Sequence, residues 1–298
     1  MTDPGLSALR VTAYDAHQHV DFGGYSAGAP DATMWLRSDF EERAAMMKEA
    51  EIACSVLMPS YDYDKRSGLQ STAKVIEGLL EYQSWGPDLF PWLGCTVEPQ
   101  HYSGAVELLE NTLAGGRFQI ASWHNRYQGL SVDAPVMFEF AEVAARYDCV
   151  LFVHGTGNLD HEEAWRIAHL VRAFPHVRFV VLDAMMTYAS MHILADLLGD
   201  VDNTWLDTAG ATSFVHLVRH IGNTIGWHRI LFGSDYYGKT RGGSPALMRH
   251  QLQLCDLSGD TLLDVFQRNL RDLLGAPPKR GDTNLQHHQR RLHDGGNT

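Results

Sequence analysis

The feature of this sequence that most constrains its fold is a regular alternation between two kinds of segment. Short apolar runs rich in β-branched residues alternate with longer segments of helical periodicity, from one end of the chain to the other. This alternation is typical of parallel strands joined by crossover helices. Eight strands are predicted, at residues 11–20, 53–58, 90–97, 118–123, 150–154, 177–182, 204–207 and 230–234.

Eight such units predict an α/β fold, the (β/α)8 TIM barrel. The chain has 298 residues, of which 45% are hydrophobic, and a barrel of this kind commonly uses about 250 residues as one domain. We therefore expect one barrel domain over residues 1–275. The first crossover helix is predicted to begin near Ser38, because Glu41 completes a capping box with it.

Residues 276–298 form a polar tail rich in Gly, Asn, His and Arg. A segment of this composition is not expected to fold by itself in water. Two arrangements would hold it in place, docking on a partner subunit or docking on its own barrel. The sequence leaves both open.

The overall charge limits the partners of this chain. A formal net charge of -12 argues against nucleic acid or an anionic membrane, which require a basic surface. No export signal or membrane-spanning apolar run is recognisable, so we expect a cytoplasmic protein with a small-molecule substrate.

The four cysteines form no C-x-x-C pair, and we expect reduced thiols. Three of them lie in strand-like runs and are interpreted as small buried hydrophobic residues: Cys54, Cys95 and Cys149.

Ligand-type side chains stand at the carboxyl ends of three predicted strands, which is where barrels of this type place their active sites. The first strand ends Asp-Ala-His-Gln-His, and alternation along a strand puts His17 and His19 on one side. The fifth strand ends at His154, and the eighth leads into Asp235. Three imidazoles and a carboxylate are a suitable ligand set for Zn, Mn or Fe.

These residues resemble a known family, the amidohydrolase superfamily in its amidohydrolase-2 branch, which includes decarboxylases of the aminocarboxymuconate semialdehyde type. The resemblance covers about residues 11–275. It depends on the His17-x-His19 pair, Phe-Val-His154, Ile-Leu-Phe-Gly-Ser-Asp235 and the closing run Asn-Leu-Arg-Asp-Leu-Leu-Gly275. The resemblance implies that the matching histidines and the aspartate bind the metal.

One departure from the family bears on the chemistry. Family members usually have a histidine near the end of strand six that serves as an acid/base or a metal ligand, and this chain has Ala184 there. Strand four also lacks the lysine that bridges two metals in many members. The departures argue against an ordinary hydrolytic or decarboxylating mechanism.

His124, after strand four, is the candidate replacement, either as a catalytic residue or as a metal ligand. Glu98 or Asp183 would be its carboxylate partner at a second ion. Arg126 is a candidate clamp for a substrate carboxylate. Four tyrosines are candidates to line the pocket: Tyr61, Tyr127, Tyr236 and Tyr237. Asp207, at the end of strand seven, is interpreted as a residue that caps a loop.

Three functions remain open. We favour an oxygen-activating hydroxylase with Mn and/or Fe and a small amino or carboxylic acid substrate such as 2-aminoisobutyrate. This follows a second resemblance, to the small subunits of amidohydrolase-like hydroxylases, which pair with another amidohydrolase-like chain and carry a manganese/iron centre. One alternative is a hydrolase or non-oxidative decarboxylase of a small carboxylate, with Zn as another metal and Asp235 as the catalytic residue that accepts the proton. The other is a non-catalytic barrel subunit of a hetero-oligomer. A homo- or hetero-oligomer is expected.

Overall fold

The computed structural model describes residues 11–156, 160–211, 215–238 and 244–277. Within these residues, eight strands are arranged in the order of the sequence, and each runs parallel to the next. The predicted (β/α)8 TIM barrel is confirmed. The strands are β1 Ala13–Val20, β2 Ile52–Pro59, β3 Trp92–Cys95, β4 Ile120–Trp123, β5 Val150–His154, β6 Phe179–Leu182, β7 Thr204–Asp207 and β8 Ile230–Leu231.

Helices separate consecutive strands and close the chain after the last one. A π-helical turn, Asp264–Arg268, joins the final two helices. In the described ranges the helices are α1 Gly23–Ser26, α2 Ala32–Glu49, α3 Leu69–Ser84, α4 Tyr102–Ala114, α5 Asn125–Gln128, α6 Pro135–Arg146, α7 Ala164–Ala173, α8 Tyr188–Leu198, α9 Val215–Ile225, α10 Pro245–Gln253, α11 Gly259–Leu263 and α12 Asn269–Leu274.

The start of α2 differs from the sequence prediction. The helix begins at Ala32, ahead of Ser38, so the capping box predicted at Ser38 is wrong. The reason is that Ala32 and Leu36 are buried on the same helix as Met47. Burial of Ala32 and Leu36, ahead of Ser38, outweighs the local capping signal.

Alternation along β5 determines where its last residue lies. Val150 and Phe152 belong to one buried cluster with inward residues of the other strands. Leu151 and Val153 belong to the larger cluster, which also contains the apolar faces of the helices. His154 therefore continues the face of Phe152, inside the barrel.

β1 has an irregularity where its ligand-type residues begin. The pairing register with β2 shifts between Asp15 and Gln18. Around this shift, the Nε2 atoms of His17 and His19 lie 2.7 Å apart, while Gln18 Oε1 accepts a hydrogen bond from Arg43 of α2. The two histidines thus share one side of β1, and Gln18 is on the helix side, as alternation predicts.

The barrel closes where β8 meets β1, and the seam has few ladder hydrogen bonds because β8 has two residues. Among the described residues, one isolated parallel bridge pairs Gln18 with Tyr236. The backbone of Ala16 donates to Phe232 O at 2.8 Å, and that of His19 donates to Tyr236 O at 3.0 Å. Side chains must therefore contribute to holding this seam.

All four cysteines are buried and free. Burial raises the pKa of the Cys54 and Cys95 thiols to about 12.

None of the helices in the described part of the chain combines the length and apolar character needed to cross a membrane. The part of the predicted polar tail that follows residue 277 is outside the described residues.

Candidate metal centre

Histidines of β1 and the aspartate after β8 meet at the mouth of the barrel. Asp235 Oδ1 lies 3.3 Å from His17 Nε2 and 3.6 Å from His19 Nε2. His154, at the end of β5, completes a group with the two β1 histidines in which one donor atom of each lies within 4.8 Å of the others. The four residues predicted from strand ends one, five and eight therefore converge on one place.

Each of the three imidazoles is held through its Nδ1 atom. His17 Nδ1 lies 2.7 Å from Asp207 Oδ2, His19 Nδ1 lies 2.9 Å from Pro59 O, and His154 Nδ1 lies 2.8 Å from Trp123 O. Carbonyls and carboxylates only accept hydrogen bonds, so each Nδ1 carries a proton, and Nε2 is the ring atom left to bind a metal when the ring is neutral. This is the arrangement found around metal-ligating histidines.

Several donor atoms at the centre are buried without a hydrogen-bond partner. Among the described residues these include His154 Nε2, Asp235 Oδ1 and Asp183 Oδ1. An unpaired buried lone pair loses its hydration without compensation. His154 belongs to a donor group with His17 and His19, and Asp183 and Asp235 belong to one with His17. Cations bound at these groups would satisfy the unpaired atoms, so the residues present fit a metal centre.

The electrostatics of the centre also favour a cation. Burial by itself would lower the pKa of His17, but the negative charges of Asp207, Asp235 and Asp183 outweigh it and raise this pKa to about 10. Burial, opposed by His17 and reinforced by Asp207 and Asp15, raises the pKa of Asp235 to about 6. The negative carboxylates thus hold a proton on His17 in the metal-free protein, and the same field attracts a metal ion.

The other two imidazoles are held neutral. Burial lowers the pKa of His19, and the neighbouring His17 lowers it further. Burial also lowers the pKa of His154, assisted by His124 and His17. Neutral imidazole is the form that binds metals.

His124 lies just after β4 and joins the centre as the sequence suggests. Its ring stacks on that of His154, with centroids 4.0 Å apart and planes 8° apart. One donor atom each of His124, His154 and Asp183 lies within 4.8 Å of the others. This second donor group borders the first and shares His154 with it.

Glu162 is a partner of His124 that sequence reasoning missed. Its Oε1 lies 2.6 Å from His124 Nδ1 and accepts from Arg126 N at 2.9 Å, while Thr156 Oγ1 donates to Oε2 at 2.8 Å. Glu162 is fully buried. It lies in the segment before α7 and not at a strand end, so no strand-end rule would have found it.

Asp183 and Asp235 share an unusual backbone conformation. Their φ angles are +55° and +53°, in the left-handed region that aspartate tolerates better than most residues. Burial raises the pKa of Asp183, and the charge of Asp235 raises it further. Backbone conformations of this kind concentrate at functional sites.

Asp207 has a larger role than the loop cap expected from the sequence. One of its oxygens contacts His17 Nδ1, and the other accepts from Asp183 N at 3.0 Å. A Cβ atom at Gly233 would clash with this carboxylate, which explains the glycine in the strand-eight motif. As the last residue of β7, Asp207 stands where the strand-end rule predicts function.

The structure places Glu98 apart from the histidines. Its Oε1 accepts from Tyr63 OH at 2.5 Å and from Gln128 Nε2 at 3.3 Å, and Lys65 Nζ lies 3.4 Å away. Glu98 is in none of the donor groups found among the described residues. Tyr63, Gln128 and Lys65 occupy this carboxylate, so we do not assign it to the metal.

Aromatic residues surround the donor atoms. The ring centroid of Tyr61 lies 5.4 Å from that of His154, and that of Tyr237 lies 4.5 Å from that of His19. Tyr127 stands 4.5 Å from His124. Tyr236, the remaining tyrosine predicted to line the pocket, packs instead against the Arg43 guanidinium.

A cavity of about 550 Å³ lies next to the centre, and Tyr237 is shared between the two. Tyr25, Trp35 and Leu36 supply much of its apolar wall, and Asp39 is among its polar residues. Arg126 is an exposed side chain, and its guanidinium carbon lies 5.4 Å from the centre of the Tyr127 ring.

The fold and this donor set define an enzyme of the amidohydrolase class. The amidohydrolase family model matches residues 81–275, and the chain belongs to that family. The resemblance inferred from the sequence motifs is thus confirmed at the family level. The chain is an amidohydrolase-fold, metal-dependent enzyme.

Similar solved structures have low sequence identity. The 5-carboxyvanillate decarboxylase of Sphingomonas paucimobilis is 13% identical (TM-score 0.69), covering 89% of this chain and 99% of its own. A 2,6-dihydroxybenzoate decarboxylase with bound 2,6-dihydroxybenzoate is 15% identical (TM-score 0.68), covering 88% and 99%. The 5-carboxyvanillate decarboxylase of Novosphingobium aromaticivorans, with manganese and 4-hydroxy-3-methoxy-5-nitrobenzoic acid, is 15% identical (TM-score 0.69), covering 89% and 96%.

At these identities the likeness demonstrates a shared fold and no more. No curated protein matches the chain by sequence. The comparisons therefore establish the family, while the reaction and the substrate must be argued from the site.

Proposed function

We propose that this protein is a metal-dependent, non-oxidative decarboxylase of a small carboxylate, with hydroxylated aromatic acids as the first class to test. The observation that carries the proposal is geometric: Asp235 Oδ1, a buried oxygen without a hydrogen-bond partner, lies 3.3 Å from His17 Nε2 and 3.6 Å from His19 Nε2. A carboxyl group has two oxygens, so Asp235 can bind an ion through one and exchange a proton through the other. The decarboxylase names of the similar structures support the same class.

In this proposal His17, His19, His154 and Asp235 hold the ion. When bound, a divalent ion supplies Lewis acidity that polarises a substrate oxygen near the departing carboxylate. The metal identity is proposed as manganese or zinc; manganese is present in one of the similar structures.

Asp235 supplies the proton that replaces the lost carboxylate. The bond from the substrate carbon to its carboxylate breaks, carbon dioxide leaves, and the electron pair left on carbon takes the proton of the Asp235 carboxyl group. Solvent then restores that proton. In the net reaction, the substrate carboxylate and one water give the protonated product, carbon dioxide and hydroxide, so atoms and charge balance without an oxidant.

His124 and Arg126 complete the proposed machinery. Glu162 holds His124 Nδ1, which leaves the other ring nitrogen for proton exchange or for a second ion. His124 thereby substitutes for the strand-six histidine that Ala184 replaces. The exposed Arg126 guanidinium binds the substrate carboxylate before it reacts.

The test is direct measurement of carbon dioxide release. Protein loaded with manganese or zinc is incubated with carboxyl-¹³C-labelled hydroxybenzoates, including 2,6-dihydroxybenzoate and 5-carboxyvanillate. Labelled carbon dioxide and the decarboxylated product are quantified by mass spectrometry, with and without oxygen. Equal turnover in both conditions supports the proposal, whereas no release from any acid rejects it for this substrate class.

A second candidate is the oxygen-activating hydroxylase expected from the sequence, with manganese or iron and a small amino or carboxylic acid. The adjoining donor group of His124, His154 and Asp183 favours it, since those residues suit a second redox-active ion. Turnover that consumes oxygen and needs a reductant would select this function. The similar structures favour the decarboxylase instead.

A further inference from the structure

Arg43 is a completely buried charged residue on the helix side of β1, behind the histidines of the metal centre. It belongs to α2, and its side chain is 0% exposed. Its hydrogen bonds use all three guanidinium nitrogens: Nε donates to Asp39 Oδ2 (3.2 Å) and Tyr82 OH (3.2 Å), Nη1 to Gln18 Oε1 (3.1 Å) and Tyr236 O (3.2 Å), and Nη2 to His19 O (2.8 Å) and Asp39 Oδ1 (3.2 Å).

This set of partners explains why the charge is tolerated. Asp39 supplies the opposite charge, and neutral acceptors satisfy the remaining N–H groups. The planar fork reaches two strands at once, β1 through His19 O and the segment after β8 through Tyr236 O. A lysine ammonium donates from one point and does not span that distance.

The two carbonyls that Arg43 holds belong to the metal-binding segments. His19 is itself a candidate ligand, and Tyr236 directly follows the ligand Asp235. Tyr236 O accepts from both His19 N and Arg43 Nη1. Arg43 therefore clamps the β8–β1 seam at the point where ligands from the two sides must come within 3.6 Å of each other.

We propose that Arg43 is a positioning residue for the metal centre. It sets the spacing between His19 and Asp235 through their backbones and does not contact the ion. The inference rests on the metal centre of the proposed function. Residues that orient metal ligands typically change affinity by 10–100-fold when they are removed.

Arg249 offers a matched control at the opposite end of β1. It is also buried, at 7% exposure, and donates to the backbone carbonyls of Val11 and Glu51, ahead of β1 and β2. Its carboxylate partner is Glu51, at 3.0 Å. Replacing Arg249 removes a buried arginine clamp without touching the barrel mouth.

The experiment compares Mn²⁺ binding by metal-free wild type, Arg43→Met, Arg43→Lys and Arg249→Met. Free Mn²⁺ is followed by electron paramagnetic resonance, and circular dichroism gives folding and Tm. Both Arg43 variants are expected to raise the Mn²⁺ Kd by about 10-fold or more. Arg249→Met is expected to lower Tm and leave the Kd unchanged.

Two results would overturn the inference. One is an Arg43 variant that binds Mn²⁺ within about two-fold of wild type, well below the usual orienting effect. The other is an equal loss of affinity in Arg249→Met, which would indicate general destabilisation. If Arg43→Met does not fold, Arg43→Lys decides by the same criteria, because it retains the charge beside Asp39.

Binding is measured without substrate, so the two proposals fail separately. A wild-type protein that binds Mn²⁺ but releases no carbon dioxide contradicts the decarboxylase and leaves the Arg43 test intact. Unchanged affinity in the Arg43 variants of an active decarboxylase contradicts the positioning role alone. Wild type that takes up no metal contradicts both.

Discussion

His17 Nδ1 lies 2.7 Å from Asp207 Oδ2, and both side chains are completely buried. This contact fixes the ring so that its Nε2 atom faces His19 and Asp235. It joins β1 to the end of β7 across the barrel mouth. An outer carboxylate of this kind controls both the orientation and the basicity of a metal-binding histidine.

Asp207→Asn is expected to weaken Mn²⁺ binding by about 10–100-fold. The amide can donate to His17 Nδ1 and thereby favour the tautomer whose Nε2 is protonated. Titration of the metal-free protein with Mn²⁺ measures the change. Asp133→Asn is the control, since Asp133 makes a similar contact, at 3.3 Å, with the exposed His169; equal affinities in the two variants would contradict the role of Asp207.

His17→Ala and Asp235→Ala are each expected to abolish metal content and activity together. Both residues lie at the barrel mouth, so we expect the strands and helices to remain folded. Elemental analysis gives the metal content, and circular dichroism gives the fold. A variant that keeps its full metal content while losing activity would limit that residue to a catalytic role.

The stability of the metal-free protein is expected to fall as pH rises between about 6.5 and 10. The pKa of His17 is raised from 6.5 to about 10 in the folded state, so the folded protein holds a proton that the unfolded chain releases in this range. The stabilisation is complete below pH 6.5 and is lost through pH 10. Urea unfolding at several pH values measures it.

His17→Gln is the control for this pH dependence, because glutamine does not titrate. The wild-type loss should be much reduced in the variant. Parallel pH profiles for the two proteins would show that other groups are responsible.

His124→Ala is expected to lower the rate of decarboxylation by about 100-fold or more, the usual contribution of an acid/base. Glu162→Gln should lower the rate as well and shift its pH profile, since Glu162 holds His124 Nδ1. Metal analysis separates the two roles of His124. Unchanged metal content supports proton exchange, a loss of one ion per chain supports a ligand role, and no effect on rate or metal rejects both.

Restoring the histidine that the family has near strand six is expected to destabilise this protein. Ala184 is fully buried in the larger hydrophobic cluster, and an imidazole there overfills a packed core. Ala184→His should lower the free energy of unfolding by about 1–3 kcal/mol. Ala184→Ser, a smaller change, is the control; a stable and more active Ala184→His variant would contradict this account.

The sequence by itself determined the eight strands and the metal-binding candidates at their ends. Strand alternation has a period of two residues, so His17 and His19 share a face whatever surrounds them. His154 and Asp235 were found because parallel strands in a barrel all end at the same mouth. Each of these inferences depends on one strand and a general rule.

The tertiary structure alone decided which residues support those ligands. His17 meets Asp207 across 190 positions of sequence, and His124 meets Glu162 across 38. Arg43 reaches the β8–β1 seam from α2, and the sequence of that helix gives no sign that this arginine is buried. Such contacts depend on how the barrel closes and where each loop returns, and side-chain periodicity carries no information about either.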